Sequence, residues 1–330
     1  MDDGALPVGG GRAEVTRSIA PRYATRLGAV VNSAPYRHTI GALVATRGRR
    51  LFLLAAVPLI WMVGFHIGPI FQLVRISFLP NYPVAHADDL PLTLANYSLF
   101  FREHLYFLPF IRSLVFSTLV TAATLVVVYP VAYYVAKIVR PAGRTRALLL
   151  LLIPFWAGEV IRTFSVIMLL SNRGALNMLL REVGLIDRPI PMLYNYFSLG
   201  VGIIYLVCLY MLLPLYAAIE KIPNHLLDAA ADLGAGPFTR FRRIILPLSR
   251  DGIVAGCSLV FLTCTGVFAT PILLGGPNTV LFTETISSFF HGASDKWPTG
   301  AAFATIMLVA SLAAAGLFMK IVGGRSTRLM

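Results

Sequence analysis

The stretch PNHLLDAAADLGAGPFTRFRRIILPLSRDGIVAG, residues 223–256, decides how the rest of the chain is interpreted. It is polar, basic and punctuated by Gly and Pro, yet it lies between two long apolar segments. The pattern predicts a short helix from His225 to Leu233 that is capped by Asn224. Gly234 is expected to end this helix, because glycine takes the left-handed conformation without Cβ strain. Helices this short are marginal alone in water, so we expect another molecule to dock here.

A second short helix is predicted to begin at Pro237, since proline suits the first turn of a helix. Its pattern places Phe238, Phe241 and Ile245 on one side. Three basic residues accompany it: Arg240, Arg242 and Arg243.

The composition is that of a membrane protein. Of the 330 residues, 57% are hydrophobic and 13% are charged, whereas soluble domains carry about 25% charged residues. The apolar runs are continuous rather than alternating, which predicts a polytopic, all-α membrane protein. The net charge of +13 does not indicate nucleic-acid binding, because the basic residues cluster beside the apolar runs, as topology determinants do.

Six apolar segments predict six transmembrane helices, at 51–78, 110–136, 147–170, 197–219, 252–274 and 301–322. Most of the 28 Lys and Arg lie in the N-terminal tail, in two of the loops and at the C-terminal end. This distribution predicts that both termini and the 223–256 stretch are cytoplasmic. The predicted division of the chain is a basic cytoplasmic tail at 1–48, a transmembrane domain at 49–325 and a cytoplasmic end at 326–330.

Motifs for bond chemistry are absent from the sequence. It contains no G-x-x-x-x-G-K-[ST] phosphate loop, no H-E-x-x-H zinc helix and no G-x-S-x-G elbow. Cys208, Cys257 and Cys264 lie inside apolar runs without metal-ligand spacing, so we interpret them as packing residues. We therefore predict no catalytic residues, no metal and no cofactor in this chain, and a membrane-embedded hydrolase finds no support.

Two charged residues, Glu159 and Arg162, lie inside the third apolar segment. A charge at bilayer depth costs about 2.5–3.5 kcal/mol on insertion scales, so both should face protein or water. Their spacing of three residues places them on one helix face. One interpretation is that they neutralise each other, and the other is that Glu159 faces a solute path and attracts a cation.

The predicted outer loop at 275–300 contains a short helix from Thr283 to Phe290. Its apolar residues Ile286, Phe289 and Phe290 are expected to be exposed, either lying on the bilayer or docking a partner. Glu284, Phe289 and Trp297 are the candidate contacts for a protein that binds the outer surface.

The opening stretch resembles the EAA loop in permease subunits of binding-protein-dependent ABC importers, whose pattern is E-A-A, three residues, Gly, nine residues and I-x-L-P. The corresponding residues are Asp228-Ala229-Ala230, Gly234 and Ile244-Ile245-Leu246-Pro247, with Asp in place of the usual Glu. Four other stretches are similar to the spermidine/putrescine branch of that family: LIPFWAGEVIRTF (152–164), NRGALNMLLREVGLI (172–186), ATPILLGGPN (269–278) and KWPTGAAFA (296–304).

The resemblance implies a type I ABC importer permease fold in the inner membrane of a bacterium. The implied partners are a second permease, two copies of a cytoplasmic ATPase that binds ATP and Mg, and a periplasmic solute-binding protein. In the family the EAA helix couples the permease to the ATPase, which implies this role for residues 223–247. The residues assigned to it are Leu226, Leu227, Asp228, Ala229, Ala230, Leu233, Gly234, Arg240, Arg243 and Pro247.

Spermidine, putrescine or a related small cationic solute is the cargo that the resemblance implies. A different organic solute, such as an amino-acid derivative or an opine, is an alternative within the same family. An ion-coupled secondary transporter is a further alternative, but such proteins usually show inverted repeats and do not need a docked helix pair.

Overall fold

The computed structural model describes residues 47–83, 92–292 and 296–323, and every regular element in these ranges is helical. Apolar runs fold this way because a bilayer offers no hydrogen-bond partners, so the backbone must bond within its own helix. The predicted tail at 1–48 lies outside the described residues except for its last two, which begin the first helix. The predicted cytoplasmic end at 326–330 lies outside them as well.

The α-helices of the described ranges are, in order, α1 (Arg47–Met62), α2 (Gly68–Ser77), α3 (Ala95–Arg102), α4 (His104–Tyr133), α5 (Pro141–Leu152), α6 (Glu159–Leu170), α7 (Ala175–Glu182), α8 (Tyr196–Glu220), α9 (Asn224–Asp232), α10 (Pro237–Arg240), α11 (Leu246–Leu248), α12 (Arg250–Gly266), α13 (Ala269–Leu274), α14 (Phe282–Gly292) and α15 (Trp297–Gly323). Shorter turns continue some of them, π-helical at Val63–Ile67, Tyr134–Ile138 and Phe241–Ile245 and 3-10 at Ile153–Trp156.

Five helical segments in the described ranges are long and apolar enough to cross a membrane, or six if one bent pair counts as a span. The bent pair consists of Pro237–Leu248 and Arg250–Gly266, which meet at 66°. The five segments are Leu54–Ser77, His104–Ile138, Glu159–Glu182, Tyr196–Glu220 and Trp297–Val322. The predicted polytopic helical fold is confirmed, although two of the six segments are not continuous helices.

The third apolar segment, predicted as one helix at 147–170, is broken. A 3-10 turn ends at Trp156, Ala157 is extended, and α6 begins at Glu159. Pro154 lies in the 3-10 turn just before the break, where its missing N–H and its ring weaken the preceding helical turn. The break puts Glu159 in the first turn of a new helix, where the helix dipole favours a negative charge.

The segment predicted at 252–274 is also interrupted. Helix α12 ends at Gly266, Val267 is extended, and α13 begins at Ala269. Pro271 cannot donate to the carbonyl of Val267 four residues earlier, which weakens the helix at this point, although α8 continues through Pro214.

Helices α8 and α12 pack at very short range. A Cβ atom on Gly252 would lie 2.5 Å from the Cβ of Ala218 and 2.7 Å from the carbonyl oxygen of Pro214. One turn later, a Cβ on Gly256 would lie 2.7 Å from the sulfur of Met211. The two glycines therefore let the backbones approach, and the helices on either side of the 223–247 stretch form a tightly packed pair.

At the other end of the bundle, a buried aromatic cluster joins α3, α4, α14 and α15. Phe100 is its centre, and its ring lies edge-on to Phe110, Phe282 and Phe303 at centroid distances of 5.2, 5.8 and 5.6 Å. Edge-to-face pairs of this kind add to the stabilisation from burial alone.

The chain divides into two compact units, residues 1–72 and 73–330. In the first unit, α1 exposes apolar side chains such as Leu54 and Ile60, and Trp61 stacks on Phe65 with 4.1 Å between ring centroids. All the features of the site described below lie in the second unit.

Candidate functional site

The segment Pro223–Pro247, named the coupling loop below, begins with α9. Gly234 follows the helix with φ +80°, in the left-handed region. Its N–H bonds to the carbonyl of Ala231 at 2.8 Å, and the N–H of Ala235 reaches back to the carbonyl of Ala230 at 2.9 Å. These bonds satisfy the last carbonyls of the helix, so the predicted role of Gly234 as the stop of the first short helix is confirmed.

The start of α9 differs from the prediction that Asn224 caps it. Pro223 occupies the cap position, and Asn224 is the first helical residue. The side-chain oxygen of Asn224 instead accepts a hydrogen bond from Lys137 Nζ at 3.1 Å. The cap prediction is wrong, because the side chain of Asn224 bonds to Lys137, a residue of another helix that the local sequence does not reveal.

The second half of the loop also departs from prediction. A π-helical turn at Phe241–Ile245 follows α10 and shifts the helical register, so that Phe238, Phe241 and Ile245 do not share one environment. Phe238 is 74% exposed, whereas Ile245 is 1% exposed. The π-helical turn widens the helix, so residues beyond it point elsewhere than a regular 3.6-residue period predicts.

The coupling loop presents exposed apolar side chains, with Leu226, Leu233 and Phe238 exposed to 39%, 88% and 74%. Leu226 lies in α9, and Leu233 is the residue that directly follows the helix. Leu227, predicted with them as a docking residue, instead packs partly buried against the core. The other predicted coupling residues divide into exposed (Asp228, Ala229, Gly234, Arg243 and Pro247) and half-buried (Ala230 and Arg240).

Phe238 is absent from the coupling residues predicted from sequence. The prediction placed it with Phe241 and Ile245 on one side of the second short helix. A signal for its exposure was present, since it follows the Gly-Ala-Gly-Pro run directly and has polar or basic neighbours.

Glu159 and Arg162 do not neutralise each other. The Oε1 atom of Glu159 accepts a hydrogen bond from Thr270 Oγ1 at 3.2 Å. Arg162, 8% exposed, donates from Nη1 to the carbonyl of Leu206 at 3.2 Å and lies 4.6 Å above the ring of Phe155. The pairing interpretation is wrong because each side chain finds its partner on a different element.

The half-buried carboxylate of Glu159 therefore has no cation within 4.0 Å in the described ranges of the chain. It lies where the broken third segment meets the broken fifth, and Thr163 and Thr270 add hydroxyl oxygens 3.1 Å apart beside it. Oxygen ligands and one negative charge form an environment that suits an ammonium group.

The helix predicted at Thr283–Phe290 is confirmed and extends over Phe282–Gly292. The prediction that Phe289 is exposed is wrong, because this side chain is 9% exposed and packs against Phe303, with ring centroids 5.4 Å apart. Trp297 stacks on Tyr82 at 5.5 Å and lies edge-on to Phe290 at 5.7 Å.

The side chain of Glu284 also forms a contact within the chain. Its Oε1 accepts a hydrogen bond from the N–H of Leu281 at 3.0 Å, at the start of α14. Burial raises the pKa of this carboxyl above its ordinary value, and the hydrogen bond from Leu281 opposes the rise.

The architecture matches solved ABC transporters. The chain aligns with a bacterial ABC transporter involved in the import of the acidic polysaccharide alginate at a TM-score of 0.64 and 19% identity, covering 86% of this chain and 97% of that one. A second structure, a bacterial alginate ABC transporter in complex with alginate pentasaccharide-bound periplasmic protein, gives a TM-score of 0.67 at 18% identity, covering 83% and 94%. At this identity the likeness establishes the fold.

Curated relatives are closer in sequence. The chain is 38% identical over 242 residues to the spermidine/putrescine transport system permease protein PotB of Haemophilus influenzae, which covers 73% of this chain and 83% of that protein. It is 36% identical over 271 residues to PotB of Escherichia coli, covering 82% and 95%. The inner membrane ABC transporter permease protein YdcU of Escherichia coli is 30% identical, covering 79% and 86%. No protein-family model matches the chain.

The fold, the coupling loop and the relatives together define a multi-pass inner-membrane permease of the ABC transporter class. The chain belongs to the family of spermidine/putrescine transport system permease proteins. The family predicted from the Asp228-Ala229-Ala230 pattern is thereby confirmed, and the secondary-transporter alternative is not supported.

Proposed function

We propose that this chain forms, together with a second permease, the path by which an ATP-driven importer carries spermidine, putrescine or a related small cation. The observation that carries the proposal is the coupling loop, which exposes apolar side chains on a chain whose relatives are named as spermidine/putrescine transport permeases. The chain itself transports and does not hydrolyse ATP. ATP and Mg²⁺ bind the partner ATPase.

The ATPase docks on the exposed side of the coupling loop in this proposal. Leu226, Leu233 and Phe238 offer apolar surface, and burying a side chain of this size is worth about 1.5–3 kcal/mol. Exposed Arg243 provides a positive charge for acidic groups at the rim. When two ATPase subunits close on ATP, the coupling loops of both permeases are drawn together.

The motion reaches the membrane through α8 and α12, which leave the two ends of the loop. Because Gly252 and Gly256 bring these helices into close contact, they turn as one unit. Rotation of such packed helices is a known way to open one side of a path while closing the other.

Glu159 is our candidate for the first contact with the cationic solute inside the membrane, with Arg162 as a fixed charge beside it. At an outer surface, a periplasmic solute-binding protein delivers the solute to the loop that contains α14. Trp297 and Glu284, both half-buried, are the proposed contacts there, whereas the buried Phe289 is not. One solved structure of similar fold is described as a complex with a periplasmic protein, which supports this partner.

The test uses the chain expressed with its partner subunits. Spermidine uptake and co-purification of the ATPase are measured for the unchanged chain and for Gly234→Pro, because proline cannot take the φ of +80° at this position. We expect Gly234→Pro to abolish both spermidine uptake and co-purification of the ATPase.

Gly236→Ala is the matched control, since an added Cβ there meets no atom within 4 Å. Membrane insertion of each variant is verified by its level in purified membranes. Uptake that persists in Gly234→Pro, or that is insensitive to ATP depletion, would refute the coupling role. Transport of another solute in preference to polyamines would refute only the cargo.

A further inference from the structure

The C-terminal part of α4 and the π-helical turn Tyr134–Ile138 that continues it hold the coupling loop at both ends. At the start of the loop, Lys137 Nζ donates hydrogen bonds to the carbonyl of Ile222 and to Oδ1 of Asn224. At its exit, the hydroxyl of Tyr129 lies 2.8 Å from Oγ of Ser249. Tyr129 of α4 and Lys137 of the π-helical turn are eight positions apart, about two helical turns.

Apolar packing lies between these two polar contacts. The ring of Phe241 meets Tyr129 edge-on, with centroids 5.5 Å apart. Ile245, 1% exposed, belongs to the same buried cluster as Ala132 and Ala136, each 0% exposed. The π-helical turn of the coupling loop therefore contacts α4 through Phe241, and its last residue, Ile245, belongs to the same buried cluster.

The ammonium group of the half-buried Lys137 stabilises both the end of α8 and the start of α9. Ile222 lies just beyond the C-terminus of α8, where the unsatisfied carbonyls of a helix carry partial negative charge. Asn224 is the first residue of α9. A single ammonium group thus fixes the direction in which α9 leaves α8.

A second contact supports the same junction. Arg144 of α5 lies 3.5 Å from Glu220 at the end of α8, with side-chain exposures of 18% and 42%. A pair this exposed is worth little by itself. This ion pair and Lys137 both hold the end of α8, since α5 begins at Pro141, only a few residues after Lys137.

We propose that Lys137 is a positioning residue for ATP-driven coupling. With Tyr129, it makes the span His104–Ile138 move together with the coupling loop. This span therefore transmits the motion of the loop in addition to α8 and α12. The inference rests on the function proposed above, and it adds a residue outside the coupling loop to the coupling machinery.

The first experiment compares Lys137→Met, Lys137→Arg and the control Lys221→Met in the co-expressed importer complex. Lys221 is exposed next to Ile222, so its substitution removes the same charge from the same region. The readouts are co-purification of the ATPase and the number of spermidine molecules imported per ATP hydrolysed.

We expect Lys137→Met to retain the ATPase while importing about tenfold less solute per ATP, since a charged hydrogen bond is worth about that factor in an equilibrium. Lys137→Arg restores the ratio, and Lys221→Met leaves it unchanged. An unchanged ratio in Lys137→Met, or loss of the ATPase from the complex, overturns the inference. ATP-independent uptake by the unchanged chain overturns the proposed function along with it.

The second experiment replaces the contact by a covalent one. Lys137→Cys and Asn224→Cys are combined in a variant whose native cysteines, Cys208, Cys257 and Cys264, are replaced by alanine, and a short reducible dithiol-reactive reagent joins the new pair. The unlinked double variant should import less spermidine per ATP than the unchanged chain. If α4 and the loop move together, the link restores the amount imported per ATP. A link that blocks import until it is reduced shows that the two slide past each other, which overturns the inference.

Discussion

Thr270 donates a hydrogen bond from its hydroxyl to Oε1 of Glu159, and the 3.2 Å contact joins two helices that both begin at a break in an apolar segment. Broken helices place backbone and side-chain polar groups inside a membrane where continuous helices would bury them. The Glu159–Thr270 contact is therefore the point at which we propose that a charged solute binds.

Glu159→Gln tests this role while keeping the hydrogen bond from Thr270, because glutamine also offers an acceptor oxygen. We expect the apparent KM for spermidine to rise about tenfold or more, as a half-buried charge within about 4 Å of an ammonium contributes over 1.4 kcal/mol. Uptake by whole cells at a series of spermidine concentrations measures the change. Glu182→Gln, at the exposed end of α7, is the control. An unaltered KM in Glu159→Gln would leave Glu159 with a structural role only.

Gly252→Ala is expected to destabilise the complex by about 1–3 kcal/mol, because the new methyl group overlaps Ala218 and the backbone of Pro214. The measurement is thermal unfolding of the detergent-solubilised complex. Gly266→Ala, on the same helix, meets no atom within 4 Å and should behave like the unchanged chain. Equal unfolding temperatures for the two variants would contradict the close packing of α8 against α12.

Phe238→Ala is expected to weaken ATPase binding about tenfold, since it removes a large apolar side chain from the exposed side of the coupling loop. Titration of the purified ATPase onto the reconstituted permease pair measures the affinity. Phe238→Leu keeps most of the apolar surface and should bind nearly as well. Should Phe238→Ala bind like the unchanged chain, the docking surface excludes this residue.

Glu284 gives a prediction about pH. Burial raises its pKa in the folded chain, so the stability contributed by the protonated form is present below the unfolded pKa and is lost as pH rises through the folded pKa. Glu284→Gln cannot ionise and keeps an acceptor for the N–H of Leu281. Its unfolding temperature should therefore exceed that of the unchanged chain near neutral pH, and the difference should shrink on acidification. A difference that is constant with pH would rule out this account.

The first short helix of the coupling loop was predictable from sequence because its determinants are local. Gly234 ends the helix through its own backbone conformation, and the spacing from Asp228 to Pro247 is a pattern within one segment. The long apolar segments were predictable for the same reason. A hydrophobic run of sufficient length has one low-energy arrangement in a bilayer.

The side-chain partners were not predictable, because they come from distant parts of the chain. Asn224 bonds to Lys137, 87 positions away, and Glu159 to Thr270, 111 positions away. A three-residue spacing correctly places Glu159 and Arg162 near each other. The spacing contains no information on the carbonyl of Leu206 that takes the guanidinium.

The π-helical turn at Phe241–Ile245 was not predicted, because no distinctive residue pattern marks it. Only its hydrogen-bond register distinguishes it from an α-helix. Each residue of an α-helix rotates the chain by about 100°. Deleting one residue from this turn would rotate everything after it, including the face of α12 that carries Gly252 and Gly256. The number of residues between Gly234 and Gly252 is thus a constraint in its own right, and we expect single-residue insertions or deletions there to be more damaging than most substitutions.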